Sequence, residues 1–226
     1  MQALFDRRTD PRGNATIEWV GDSALIIVGP FSPADVRERL VRAGIAGVTD
    51  IVPSSRDVLV MIDPRHATDD VHDRVAKALG EPAARRPARP AQEHEIVVCY
   101  DDRFAPDLAE VAEVAGMTPD EFAQRHASAA YEVEFVGFAP GFGYLSGLPE
   151  RLRTPKLASP RPRVAAGSVA IADGYCGIYP LASPGGWRII GRTVARLFDA
   201  TRDPPALLRA GDRVRFRRVE RLPGSP

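Results

Sequence analysis

The sequence predicts an α+β protein in two parts, a small N-terminal α+β sandwich followed by a β-barrel domain. Three observations carry that reading. A strand–strand–helix pattern occurs twice over residues 1–80. A proline- and arginine-rich run, EPAARRPARPAQ, fills residues 81–92. From Tyr131 onward, short strands alternate with Gly- and Pro-rich turns. The expected division is an N-terminal domain over 1–80, a linker over 81–93 and a barrel domain over 94–226.

Residues 1–14 are polar and read as a frayed segment. Ile17 and Trp19 alternate with polar neighbours, Gly21-Asp22 turns the chain, and Ala24–Val28 reads as a buried strand. Ser32-Pro33-Ala34-Asp35 starts a helix: a capping hydroxyl, a proline where no N–H is needed, and an acid facing the positive end of the helix dipole. Val36, Leu40 and Val41 form its apolar stripe, and Gly44 stops it. Strands over Val48–Val52 and Val58–Ile62 follow, joined by a turn at Pro53–Arg56. A second helix runs from a Thr68 cap through Val71, Val75, Ala78 and Leu79 to Gly80, with both helices on one face of the sheet. In residues 81–92 the repeated prolines block both helix and ladder formation, which marks a linker.

Beyond the linker, Glu95–Tyr100 alternates like a strand. Leu108, Val111, Ala112 and Ala115 recur at helical spacing between Pro106 and Gly116. Thr118-Pro119-Asp120-Glu121 is a capping box, flanked by Met117 and Phe122 as a hydrophobic staple. The following helix carries His126 in its last turn. Tyr131, Val133 and Phe135 then alternate with Glu132 and Glu134. Short strands at Gly167–Ala172, Gly177–Pro180, Trp187–Ile190 and Val214–Val219 complete the pattern of a closed or nearly closed barrel. Arg213, Arg215 and Arg217 mark the solvated face of the last strand, with Val214 and Phe216 inward.

Composition excludes several classes. With 44% hydrophobic and 27% charged residues, the chain has an ordinary globular composition. Its 30 basic residues balance 30 acidic ones, whereas a nucleic-acid face needs excess cations to displace phosphate counterions. Cys99 and Cys176 form no CxxC pair and have no His at ligand spacing, so neither a zinc site nor a structural disulfide is expected. No segment approaches 18 consecutive apolar residues and the start has no apolar signal core, which predicts a cytoplasmic protein off the membrane.

Three segments carry the chemistry: Phe138–Leu145, Ala166–Ala172 and Gly177–Thr193. Ser183-Pro-Gly-Gly186 has the composition of a loop that turns successive N–H groups inward to hold a carboxylate or phosphate, or of a tight turn before a strand. Ser168, opening a strand after Gly167, offers a hydroxyl to a substrate carbonyl or closes a turn on its own backbone. Arg161 and Arg192, beside prolines or a glycine, are placed to clamp a carboxylate in forked geometry, with a solvated surface arginine as the alternative. His126 at a helix C-terminus is a general acid–base candidate or a structural cap for carbonyls. Phe138, Phe142, Tyr144 and Trp187 read as core or cleft wall. No nucleophile has a base beside it in sequence, and no Gly-rich loop ends in Lys-Ser/Thr.

The ordered string Gly137–Pro149, Pro160-Arg161, Val164–Ala172, Gly177–Thr193 and Leu197-Phe198-Asp199 resembles the KipI / allophanate hydrolase subunit 1 family, which includes the B subunit of ATP-dependent 5-oxoprolinase. The resemblance runs from about residue 16 to 219 and is strongest over 131–199. It implies a cyclophilin-like barrel behind a small α+β domain. It also implies a subunit of a complex that opens 5-oxoproline to glutamate with ATP, inactive by itself. ATP would be used by the complex and bound mainly by another subunit. The implied partners are a KipA / allophanate hydrolase subunit 2 protein and a LamB/YcsF-type subunit. Alternatives within the resemblance are a histidine-kinase inhibitor and a carboxyltransferase-type subunit of urea degradation. The candidate catalytic residues are His126 and Arg192. The candidate substrate-binding residues are Pro140, Gly141, Phe142, Arg161, Gly167, Ser168, Ser183, Gly185, Gly186 and Trp187, for a small carboxylic acid or amide, with no metal site. The chain departs from the family pattern at Gly143, Lys156, Asp173 and Tyr175-Cys176, where proline, arginine, glycine and Gln-Thr are usual. Cys176 reads as a small buried thiol in place of threonine.

Overall fold

The first elements form for local reasons. In the computed structural model, which describes residues 8–9, 15–54, 56–80 and 90–224, the Ser32 hydroxyl accepts the Asp35 N–H at 3.4 Å. Gly44 closes the same helix in the left-handed region at φ 55°. Strands β1 (Arg8–Thr9), β2 (Thr16–Val20) and β3 (Ala24–Val28) precede this helix α1 (Pro33–Ala43). β4 (Val48–Pro53), β5 (Asp57–Ile62) and α2 (Val71–Gly80) follow it. The strands make one antiparallel sheet in the order β1-β2-β3-β5-β4. Ile17, Leu25, Ile27, Val58 and Val60 of the sheet share a core with Val36 and Leu40 of α1 and Val71, Val75 and Leu79 of α2. Two expectations need correction. Val41 is 55% exposed, since it lies about 100° around the helix from Leu40. Val28, the last residue of β3, is also exposed.

The chain divides into two compact units, the second beginning at residue 89. Residues 81–89 of the expected linker lie outside the described residues. Its last residues belong to the second unit: the Gln92 N–H donates to Asp212 Oδ1 at 3.0 Å, and Glu93 opens a strand.

That strand, β6 (Glu93–Cys99), leads into α3 (Leu108–Val114) and α4 (Pro119–Ser128). β7 (Ala130–Val136), β8 (Gly143–Ser146), a 3-10 turn at Glu150–Leu152, β9 (Arg161–Val164) and β10 (Ser168–Ala172) come next. β11 (Tyr175–Ile178), β12 (Ser183–Gly185), β13 (Arg188–Arg192) and β14 (Arg213–Val219) complete the unit. α3 starts at Leu108, later than Pro106. α4 has the full predicted capping box, with the Thr118 side chain accepting the Glu121 N–H and the Glu121 carboxylate accepting the Thr118 N–H at 2.8 Å. Seven strands close a barrel in the order β10-β11-β8-β7-β14-β6-β13, while β9 and β12 pair as a separate ribbon. The β6–β14 pairing is parallel and the other barrel pairings are antiparallel. The mixed fold with a closed barrel is the one expected.

Two apolar layers share the barrel wall. Val98, Val133, Leu145, Val169, Ile171, Ile178, Ile190 and Val214 fill the interior. Ala170 and Ala172 belong instead to a second cluster with Phe142, Val164, Tyr179, Trp187 and Ile189. β10 is therefore buried along its whole length, because successive side chains serve opposite faces and both faces are covered. β14 has only one covered face, so Arg213, Arg215 and Arg217 point outward and Val214 and Phe216 inward, as predicted.

Candidate functional site

A cavity of about 250 Å³ opens beside the second cluster. Its walls are Phe138, Phe142, Tyr144, Tyr179 and Trp187, with Leu157, Pro160, Lys156 and the backbone of Gly185 and Gly186. The rings pack edge to face: Phe142–Trp187 centroids lie 5.4 Å apart, Phe142–Tyr179 5.6 Å and Tyr144–Trp187 5.5 Å. This is the geometry that ring quadrupoles favour. Close approach depends on missing side chains. A Cβ on Gly177 would lie 2.7 Å from the Phe142 ring, and one on Gly185 would lie 2.2 Å from the Tyr179 hydroxyl.

Phe138 stands at the mouth, 60% exposed and in the left-handed region at φ 66°. That conformation costs a bulky residue on the order of 1–3 kcal/mol, and such strain clusters at ligand sites. Burial raises the pKa of Tyr144 and of Tyr179, so both phenols remain O–H donors at neutral pH. The Tyr179 oxygen accepts the Trp187 backbone N–H. The cleft thus has flat apolar walls, the half-buried Tyr144 phenol and one cation, with Tyr179 buried in its wall.

Of the residues singled out from sequence, Phe142, Gly185, Gly186 and Trp187 of the substrate-binding set meet in this lining, together with Phe138 and Tyr144. The others do other things. Arg161 is fastened behind the wall: its Nη2 donates at 2.6 Å to Asp107 Oδ1, while Asp107 Oδ2 accepts the Ile189 N–H at 2.6 Å. The arginine therefore ties β9 to the start of α3 and to β13. Arg192 donates to the Ala166 carbonyl at 3.0 Å and lies over the Phe104 ring, away from the cleft lining. Ser168 is buried in β10, opposite Arg192. Gly167 takes φ 79° against the Thr193 carbonyl, and Gly141 takes φ 83° in the turn after Pro140, against Leu197. These glycines shape turns. The Ser183–Gly185 segment is an extended strand paired with β9, not an inward-turned anion loop. Glycine serves there to admit the Tyr179 hydroxyl.

His126 requires the largest correction. It is fully buried inside the barrel and stacks on Phe216 at 4.9 Å. Its Nδ1 meets the Tyr100 hydroxyl at 2.7 Å and its Nε2 meets Cys176 Sγ at 3.3 Å, so both ring nitrogens have partners. Burial lowers its pKa to about 3, and the ring is neutral, not an imidazolium supported by the helix end. Burial also raises the Cys176 thiol, which excludes a resident thiolate nucleophile. Among the described residues, no three His, Cys, Asp or Glu side chains converge at metal-binding spacing, and no helix is long and apolar enough to cross a membrane.

Sequence reasoning missed Lys156, Leu157 and Tyr179 as lining residues. Tyr179 sat inside a highlighted string, and Lys156 is one of only two lysines in a chain rich in arginine. Both signals were present. Neither says which face a residue takes.

The chain belongs to the family of the carboxyltransferase domain, subdomains C and D, which matches residues 15–208. It is similar to the B subunit of 5-oxoprolinase from Escherichia coli O157:H7, with 43% identity over 75% of this chain and 77% of that protein. It is also similar to the B subunit of 5-oxoprolinase from Bacillus subtilis (strain 168), with 48% identity over 55% of this chain. The match spans about half, 52%, of that relative's length. The crystal structure of Kluyveromyces lactis urea carboxylase shares the fold, with a TM-score of 0.76 and 19% identity over 96% of this chain and 23% of that one.

Proposed function

We propose that this chain is a subunit of an ATP-dependent 5-oxoprolinase and that the aromatic cleft receives the cyclic acid. The observation that carries the reading is identity of 43–48% to three proteins named as B subunits of 5-oxoprolinase. The cleft fits a small flat ring with a polar edge. At about 250 Å³ it is below the range of roughly 300–1,000 Å³ that suits drug-sized ligands. Its walls hold and orient the ring and displace water, and the Tyr144 hydroxyl reaches the amide or carboxylate oxygens.

The phosphoryl step belongs to another subunit. A triphosphate needs a cradle of backbone N–H groups and several cations, and this cleft has a single lysine in its lining. The partners in this reading are a KipA / allophanate hydrolase subunit 2 protein and a LamB/YcsF-type subunit, in the cytoplasm. The purified chain alone is expected to turn over no 5-oxoproline, and mixing it with the companion subunits to yield ATP-dependent glutamate release and a co-eluting complex in size-exclusion chromatography. Robust turnover by the isolated chain, or a reconstituted assembly inert toward 5-oxoproline, would overturn the proposal.

A further inference from the structure

The cleft lining contains one charged side chain, Lys156, among five aromatic rings. Its Nζ sits 3.3 Å from Asp173 Oδ2, and both side chains are more than half exposed, at 56% and 53%. Asp173 occupies the two-residue turn between β10 and β11, with φ 52° followed by Gly174 at φ 102°. Positive φ at both central residues is the mirror-image turn that suits a tight hairpin, and Asp-Gly is one of the pairs that adopts it. The turn therefore places Asp173 beside Lys156, a residue of the cleft lining, and its carboxylate neutralises that ammonium.

We infer that Lys156 is the carboxylate-recognising residue of the cleft, and that Asp173 is an internal stand-in for the substrate's carboxylate, holding the ammonium until a small organic acid replaces it. This deepens the proposed function and rests on it for the identity of the acid. The exchange is physically easy. An exposed ion pair of this kind is worth about 0–1 kcal/mol, so releasing Asp173 costs little. A ligand carboxylate seated against aromatic walls is better shielded from water, and its attraction to the same ammonium is correspondingly stronger. The local sequence is basic as well: Arg151, Arg153, Arg161 and Arg163 flank Lys156 in the chain, against Glu150 alone among acids in that stretch. Arg161 is already committed to Asp107, which leaves Lys156 as the cation at the lining.

The test uses Trp187 as reporter. Its fluorescence is titrated in the full chain carrying Trp19→Phe, which leaves Trp187 as the single tryptophan, with 5-oxoproline, with benzoate, and with 2-pyrrolidinone, which has the ring but no carboxylate. Lys156→Met, which keeps the apolar stem, is expected to weaken binding of both acids about tenfold or more while leaving 2-pyrrolidinone unchanged. Lys156→Arg is expected to retain acid binding within about threefold, since the charge remains. Asp173→Asn is expected to tighten it about two- to fivefold by removing the competitor. Acid binding by the unaltered chain is expected to weaken with added salt. Equal acid affinity in Lys156→Met overturns the inference and leaves the 5-oxoprolinase reading intact. Lys156-dependent binding of benzoate without binding of 5-oxoproline supports the lysine's role and removes that reading. No acid signal in any variant overturns the inference.

Discussion

The barrel interior and the cleft outside its wall are made of similar materials and behave in opposite ways. Inside, Tyr100, His126 and Cys176 form a chain of polar atoms among Tyr131 and Phe216, sealed from water. Outside, the half-buried Tyr144 and the buried Tyr179 stand among Phe142 and Trp187 in the wall of a cleft whose mouth carries the exposed Phe138. A histidine and a cysteine in sequence suggest chemistry more strongly than two tyrosines and a lysine do. Burial reverses that ranking. Sealed groups are held neutral and partnered, so they specify the core, whereas the less reactive Tyr144 and Lys156 line a cleft that is open to a ligand.

The largest expected effect tests how firmly the cleft wall is tied to the barrel. Asp107→Ala leaves Arg161 and the buried Ile189 N–H without their acceptor. We expect a loss of about 2–4 kcal/mol in urea denaturation, Arg161's partial exposure keeping it below a fully buried pair. Ligand quenching of Trp187 should fall with it. A variant of unchanged stability would show that the wall stands without this tie.

Next comes the sealed trio. His126→Leu strands the Tyr100 hydroxyl and should cost about 1–3 kcal/mol at pH 7, with acid binding in the cleft unchanged. The folded pKa of about 3 lies below the ordinary 6.5, so the unfolded chain binds a proton that the folded barrel refuses. The stability His126 provides as a neutral group is complete above about pH 6.5 and is lost as pH falls toward 3, by up to about 1.4 kcal/mol per pH unit. Denaturation at a series of pH values should show that slope in the unaltered chain and a shallower one in His126→Leu. Loss of ligand binding in a stable His126→Leu protein would break the contrast between interior and cleft.

The smallest effect is expected at Cys176. Threonine replaces the thiol with a group of similar size that can still bond His126, so Cys176→Thr should change stability by less than about 1.5 kcal/mol and leave turnover of the assembly intact. Both cysteines are buried, and a thiol reagent should label neither until the chain is unfolded. Rapid labelling of the native chain, or abolished turnover in folded Cys176→Thr, would return a nucleophilic role to this residue.

What sequence could reveal was set by distance along the chain. The caps of α1 and α4 are written in residues three apart, and the alternation in β14 in neighbours, so both were legible. β10 has no alternation to read, because Val169 and Ala170 are buried on opposite sides of one wall. The cleft gathers residues from 138 to 187, and the Lys156–Asp173 pair forms only after the β10–β11 hairpin has turned. Glycines in Ser183–Gly186 resembled an anion loop since the same residue type serves a positive-φ turn and a close ring approach. Arg161 and Arg192 resembled substrate clamps because a guanidinium bound to Asp107 or to a carbonyl has the same sequence context as one awaiting a carboxylate.

The parallel seam between β6 and β14 also sets a timetable. Gln92 and Asp212, bonded at one end of that seam, are 120 residues apart. During synthesis β6 leaves the ribosome early, yet its hydrogen-bonding edge toward β14 has no occupant until the last barrel strand emerges. β7 waits for the same strand. Once β13 has paired with β6, the nascent chain still carries these two open strand edges beside an apolar interior, the combination most prone to pairing with the wrong neighbour. Closure is then a single late event that covers both edges at once. The alternating arginines of β14 keep its outer face soluble until it docks.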